Sequence, residues 1–415
     1  MKRLLKVAIG IIISITILFP ITSCIEKPAK DLDVQTFLIY AAGNNDLNAL
    51  LTNNIETLKS RDFIPHQDDK ENILLVFRHI KGSIIDPQLI RLYKDKYDTV
   101  QEEVLVEYDY SINSASAEFM HSVLAKANEL FPAKNNGLLI SSHGSGWLPS
   151  GFYKSPTSYQ GTGGNSSPLS VDYQEYPSLE DDPYKNLVKS VCISNSNEMN
   201  ITDLASALPI HYDYIIFDCC LMGGIEVAYE LKNSVDYLIL SPAEVMGDGF
   251  PYYCMTNYLM KDDNIPIAKR LEMLSTEFYN LYQSQSGTSQ SATVSLIDCN
   301  KLEPLAESCR EIFANHTEEI ASFKATDVQG YFRFNRHWFY DLEDYISRFA
   351  TDSELFKFQS AMKDAVIYKA ATQKFITIDI VKYSGLSTYI YEPNSHYLNE
   401  FYKSLKWNMA TQLVK

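Results

Sequence analysis

The chain reads as an α/β protein: a mainly parallel central sheet flanked by helices, followed by a mixed C-terminal segment. Three observations carry that reading. Short, unbroken apolar runs recur, as expected of strands buried on both faces. Segments with apolar residues at helical spacing alternate with them, the order that right-handed strand–helix–strand units produce. The chain has 415 residues, 46% hydrophobic and 21% charged, which suits one large α/β unit with an attached subdomain and argues against disorder.

The elements follow in order. Lys2, Arg3 and Lys6 precede an apolar run from Val7 to Phe19 that is too short to span a membrane, the pattern of a signal peptide over 1–23. Ile21-Thr22-Ser23-Cys24 resembles the lipobox of bacterial lipoproteins, which implies acylation of Cys24 and a lipid-anchored, extracytoplasmic protein tethered through 24–34. The main α/β unit is expected over 35–257. Its strands are Thr36–Tyr40, Ile73–Phe77, Gly137–Ser141, Tyr214–Phe217 and Tyr237–Leu240. Leu47, Leu50, Leu51, Ile55 and Leu58 mark one helix. Phe119 to Leu130, stopped by Pro132, marks a second, and Ile225, Ala228 and Leu231 mark a third. Between them, 148–189 is rich in Gly, Ser and Pro and reads as a long exposed loop, the kind that is usually functional or mobile. A subdomain packed on the central sheet is expected over 258–415, with a helix over Pro266–Tyr282 and strands over Ala292–Ile297 and Phe375–Ile380.

Charge and cysteine usage narrow the function. A net charge of -16 disfavours nucleic acid, whose phosphates need clustered Lys and Arg. It suits a basic substrate, or simply solubility. The cysteines show no zinc spacing and are too sparse for a disulfide scaffold.

Two segments join an apolar run to reactive groups. Ile140-Ser141-Ser142-His143-Gly144-Ser145-Gly146-Trp147 continues the third strand. Tyr214-Ile215-Ile216-Phe217-Asp218-Cys219-Cys220-Leu221-Met222 continues the fourth. Ligands of open α/β sheets bind outside the carboxyl ends of the strands, so His143 and Cys220 are expected at one rim. A thiolate is the nucleophile of cysteine chemistry, and a neighbouring imidazole takes the thiol proton or stabilises the anion. Cys220 is also expected at the start of the next helix, whose partial positive charge favours a thiolate. The glycines after His143 allow close backbone approach, making the amides of Gly144 and Cys220 a candidate oxyanion hole. Cysteines at strand ends are often plain core, so spacing alone leaves both readings open. His79 ends an apolar run too, but lacks the glycines.

These segments resemble the clostripain-like cysteine peptidases, of the clan of caspases, gingipains and legumain. The sharpest matches are H-G-x-G-W at His143–Trp147 and D-x-C-L-M at Asp218–Met222. Lesser ones are Tyr40–Leu47, Gly247–Tyr252, Asp341-Leu342 with Asp344, and Gly385–Tyr389. The resemblance implies a caspase-like α/β sandwich and a His143/Cys220 dyad that cleaves after Lys or Arg through a thioester. It makes Asp218 a pocket carboxylate for the basic side chain, with Glu244 as a second candidate. Capping of the next helix is the other role open to Asp218. Trp147 is a candidate cleft wall or a core residue. Where the family has alanine this chain has Cys219, which either forms a vicinal disulfide or, by strand alternation, points away. No cofactor is required; calcium remains open, without a D-x-D-x-D-G loop.

Relatives that mature by cleavage between histidine and cysteine suggest a cut in 148–189. With no Arg from Leu148 to Asn200, a basic site must be a lysine: Lys154, Lys185 or Lys189, with the last two favoured. The partners expected are peptides bearing Lys or Arg, and a membrane through the anchor. The competing function is a catalytically silent surface lipoprotein that binds peptides in the same cleft. A metal-dependent hydrolase ranks last, because no H-E-x-x-H cluster is present.

Overall fold

The computed structural model describes residues 34–83, 87–152, 184, 187–189, 198–261, 264–333 and 338–415. The lipobox Cys24, most of the 148–189 loop, and Lys154 and Lys185 lie outside the described residues.

The five predicted strands form the parallel heart of the sheet: β1 (Gln35–Gly43), β2 (Asn72–Ile80), β5 (Asn135–Ser141), β6 (Tyr212–Asp218) and β7 (Val235–Leu240). Between them in the chain come β3 (Gln88–Lys94) and β4 (Val100–Glu107). After them come β8 (Thr293–Asp298), β9 (Tyr340–Asp341) and β10 (Val366–Ala371). The nine-stranded sheet runs β10-β8-β7-β6-β5-β1-β2-β3-β4, antiparallel at both margins. Central strands are apolar on both faces because helices cover both; Leu74, Leu75, Val76, Leu138, Leu139, Ile215 and Ile216 are fully buried. Outermost β4 has no buried residue and stays partly or fully exposed along its length, as an edge strand does.

One helical layer is built from α2 (Ala117–Leu130), α3 (Ile201–Ala207), α4 (Ile225–Leu231), α7 (Leu302–Asn315), α10 (Asp352–Ala365) and α12 (Lys406–Thr411), which pack in succession. The second contains α1 (Asn48–Arg61), α5 (Met255–Met260) and α6 (Ile267–Gln283). The Asp62 carboxylate, just past α1, accepts from the Thr256 amide at 2.7 Å and ties α1 to α5.

The segment after 257 does more than pack on the sheet: it supplies β8 and β10 to it. The strand expected over Phe375–Ile380 is replaced by a hairpin of β11 (Lys374–Phe375) and β12 (Ile378–Asp379), turned at Ile376 with φ of 51°. A residue in the left-handed region cannot continue a strand. Beyond it, β13 (Ser387–Thr388) pairs with β9. The fully buried Glu226 of α4 accepts from Thr388 Oγ1 at 2.9 Å, the Tyr389 amide at 2.9 Å and Tyr402 Oη at 2.6 Å. These bonds clamp the C-terminal segment onto the helix behind the cysteines, although burial raises the Glu226 pKa.

Candidate active site

The sheet changes direction of winding between β1 and β5: β1 leads outward to β2, whereas β5 lies on its other side. Crevices form at such switch points, at the carboxyl ends of the strands. Three adjacent parallel strands end there, and each passes into a loop with a reactive group: β1 into Asp46, β5 into His143, β6 into Cys220.

Gly144, next to His143, lets its backbone touch that of Cys220. A Cβ on Gly144 would sit 2.4 Å from the Cys220 carbonyl oxygen and 3.2 Å from its nitrogen, so no larger residue fits. After β6 the chain turns sharply, with Leu221 in the left-handed region at φ of 61°. Such a conformation costs a branched residue energy and tends to occur where function fixes the backbone. Neither the Gly144 nor the Cys220 amide donates to a backbone carbonyl among the described residues. The helix expected directly after Cys220 starts only at Ile225, with Gly224 as its N-cap, so its dipole does not act on the thiol.

The Cys220 Sγ accepts from the Val245 amide at 3.2 Å and donates to the Lys189 carbonyl oxygen at 2.7 Å. His143 Nδ1 lies 3.4 Å from that same oxygen. Its Nε2 is 2.7 Å from Asp46 Oδ1. The imidazole bond, ahead of partial burial, holds the Asp46 carboxyl below its usual range. Burial, then the Glu244 charge, pushes the Cys220 thiol well above its ordinary value.

Lys189 occupies the crevice as a bound peptide would. Its amide donates to the Val245 carbonyl at 2.8 Å, Val188 bridges antiparallel to Met246, and the Gly247 amide donates to the Leu187 carbonyl at 2.7 Å. The segment 187–189 thus pairs with 245–247 through one antiparallel bridge and its two flanking hydrogen bonds. The Lys189 side chain is fully buried and pairs directly with Asp218 Oδ2; Nζ also donates to Ser141 Oγ at 3.1 Å. Asp218 Oδ2 accepts further from Ser141 Oγ and from Tyr252 Oη, each at 2.8 Å. Asp218 therefore holds a lysine, and the next helix has Gly224 rather than Asp218 at its N-cap. Gly249, at φ of 67°, closes the recess.

The other predicted residues separate from this cluster. Glu244 lies beside Cys220, but both its oxygens are taken by Arg333, and it makes no hydrogen bond to the lysine among the described residues. Trp147 is fully buried, its Nε1 donating to the Trp338 carbonyl at 3.2 Å and its ring packed on Tyr389 and Tyr402; it is core, not a cleft wall. His79 is buried at the end of β2 and bonded to Ser114 Oγ at 3.1 Å. Cys219 points to the opposite face, donates to the Ile140 carbonyl at 3.3 Å and carries no disulfide. Burial, then Asp218, pushes its thiol up to about 12. It lines an apolar cleft with Phe217, Met120, Leu204 and Met222, and His143 and Gly144 stand in the same lining.

Reading the sequence by strand ends did not find Asp46, Ser141, Val245, Gly249 or Tyr252. Asp46 stands in one of the quoted resemblance segments, and Gly249 and Tyr252 in another, but the residues around them gave no chemical reason to choose them.

A parallel sheet whose neighbouring strand ends gather a carboxylate, an imidazole and a thiol around one peptide carbonyl defines a cysteine-type peptidase of caspase-like fold. The chain belongs to the clostripain family, whose profile matches residues 39–161 and 179–413. It is similar to an inactive zymogen C11 protease from Parabacteroides distasonis, at 31% identity and a TM-score of 0.71 over 91% of this chain and 97% of that one. It is also similar to a secreted C11 cysteine protease from Bacteroides thetaiotaomicron solved with an irreversible peptide inhibitor, at 26% identity and a TM-score of 0.70 over 91% of this chain and 98% of that one. No protein of curated function matches it. The chemistry of this family is carried by side chains and requires no cofactor. Among the described residues no group of three or more His, Cys, Asp or Glu could hold a metal.

Proposed function

We propose that the protein is an endopeptidase that cuts after basic residues with Cys220 as nucleophile and His143 as base, and that its first substrate is its own Lys189–Ser190 bond. The observation that carries this is the Lys189 carbonyl oxygen, contacted by both Cys220 Sγ and His143 Nδ1 while the lysine side chain rests on Asp218.

Asp46 accepts the Nε2–H of His143, which leaves Nδ1 unprotonated beside the Lys189 carbonyl that the thiol also touches. Nδ1 takes the Sγ proton as sulfur attacks the carbonyl carbon, and the amides of Gly144 and Cys220 receive the charge that develops on oxygen. Nδ1 then passes its proton to the leaving Ser190 nitrogen, and the C–N bond breaks to give a thioester. Water, deprotonated by His143, hydrolyses the thioester to the Lys189 carboxylate and restores the thiol. In the uncut chain Lys189 fills the pocket and the thiol is buried and held protonated, so the crevice is closed to other peptides. Both products stay in one core, because β5 and β6 flank the cut and pair in one sheet. Of the three candidate lysines, Lys189 is the one supported by these contacts.

The N-terminal pattern and the secreted relative support an extracytoplasmic protein anchored through an acylated Cys24. Among the described residues no helix is long and apolar enough to cross a membrane. Peptides bearing the basic residue are the partners.

Asp218→Asn tests the pocket. Loss of a charge-assisted bond should cost about 1.5–3 kcal/mol, roughly a 10- to 150-fold fall in kcat/KM on basic peptides. An equal fall on peptides with a neutral residue at that position would sink the assignment.

A further inference from the structure

We infer that the Asp218 pocket is built for lysine and discriminates against arginine, with Ser141, Tyr252 and Gly249 setting the choice. This rests on the proposed role of Asp218 as the carboxylate that receives the basic side chain.

The Lys189 side chain fills the pocket to its floor: it is fully buried, and its ammonium is in direct contact with Asp218 Oδ2. An arginine side chain reaches one heavy atom further and spreads into a planar fork, so it needs both depth and width that an ammonium does not. Depth is fixed from behind. Ser141 and Asp218 face each other in the β5–β6 register, Ser141 Oγ bonds Oδ2 at 2.8 Å, and Tyr252 Oη bonds the same oxygen at 2.8 Å. All three residues are buried, and the carboxylate cannot withdraw without breaking those bonds.

Width is fixed by Gly249. Asp218 Oδ1 has no hydrogen-bond partner among the described residues, and a guanidinium fork would seek it. That oxygen is covered, however. A Cβ on Gly249 would lie 2.7 Å from Oδ1, from Oδ2 and from Lys189 Nζ, so the glycine backbone already stands over the place a second nitrogen would need. The glycine is itself pinned: its amide donates to the Met246 carbonyl at 2.9 Å, and its carbonyl accepts from Tyr282 Oη at 2.6 Å. Phe250, next in the chain, stacks on Phe278 of α6 with ring centroids 4.4 Å apart. Ser141 Oγ also accepts from the ammonium, so the floor offers Lys189 Nζ two acceptors at lysine length.

The test uses two fluorogenic peptides copied from the chain's own segment, Asn-Leu-Val-Lys and Asn-Leu-Val-Arg, with the mature enzyme. The lysine peptide should have the higher kcat/KM by about 10- to 100-fold, the scale of a one-atom misfit in a closed pocket. Ser141→Gly, which removes the hydroxyl at the floor, should narrow that ratio several-fold. Equal or preferred cleavage after arginine in the wild type overturns the inference. Binding of the two peptides as amides to the uncut Cys220→Ala/Lys189→Ala chain reads the pocket without catalysis. Tighter lysine binding there supports the inference even if neither peptide is hydrolysed, which would count against the peptidase reading alone. Equal binding overturns it.

Discussion

Cys219 and Cys220 are neighbours in the chain and belong to different parts of the molecule. Cys220 faces the layer of α5 and α6, where Val245, Lys189 and His143 surround it. Cys219 faces the layer of α2 and α3 and lines an apolar cleft that His143 and Gly144 also border, without any hydrogen bond from its sulfur to that imidazole among the described residues. Both thiols are buried and both are held protonated, so acidity in the uncut chain does not distinguish them. Their surroundings do: one sulfur touches a peptide carbonyl beside an imidazole, the other bonds back into β5. Reactivity at this strand end is set by which face a side chain takes, and alternation along β6 decides that.

The comparison is broken most directly by exchanging the two roles. Cys220→Ala should lower peptide hydrolysis by at least about a thousandfold, as loss of a catalytic nucleophile does, whereas Cys219→Ala should retain most activity. Assay of both purified variants on one lysine peptide decides it; an active Cys220 variant beside a dead Cys219 variant would reverse the assignment.

Asp46 sharpens it at the next level. Asp46→Asn keeps the shape but weakens the bond that orients His143, so kcat should fall about 10- to 100-fold with KM little changed. The acidic limb of the pH–rate profile should also move, because the Asp46 carboxyl, held below its usual range by its bond to His143, no longer titrates. An unchanged profile, or a change in KM alone, would make Asp46 a bystander.

The smallest expected effect lies far from the crevice and serves as a control on stability. Glu354 closes a capping box with Thr351 at the start of α10 and accepts from His316 Nε2 at 2.9 Å. Burial alone would raise the Glu354 pKa, but the bonds from Asn315, His316 and Thr351 outweigh it and bring it down to about 2. The bond to Glu354 raises the His316 pKa. A lowered carboxyl contributes stability that is present above its unfolded value and is lost as pH falls toward about 2. A raised histidine contributes stability that is full below its unfolded value and is lost as pH rises through its folded one. Glu354→Gln should therefore cost about 1 kcal/mol near neutrality and flatten the acid limb of thermal stability, with hydrolysis unchanged. A wild-type acid limb in the variant would remove the pair from the account.

Much of this fold was legible because its central strands are buried on both faces and write themselves as unbroken apolar runs. The margins were not. β4 carries Glu102 and Glu103 and β10 breaks its apolar pattern with Lys369, since an edge strand needs polar residues on its open side, and β3, second from the edge, carries Arg91 and Lys94. At the site, His143 and Cys220 could be read because each follows an apolar run directly. Asp46, Val245 and Tyr252 reach the crevice through loops whose paths follow from tertiary packing, and nothing in their local sequence gives that path. The register that sets Ser141 opposite Asp218 is likewise a property of two strands together. Lys189 was one of three lysines in a long loop, and its contact with the Asp218 carboxylate follows from the fold alone.

The central claim is that the uncut chain holds its own substrate, and intact mass measured on wild type and Cys220→Ala after parallel purification tests it most directly. The account predicts two co-purifying chains in wild type, one ending at Lys189 and the other beginning at Ser190, and a single chain in the variant. A fully active wild type that remains one chain would contradict it, as would identical nicking of both proteins or a cut at any other residue.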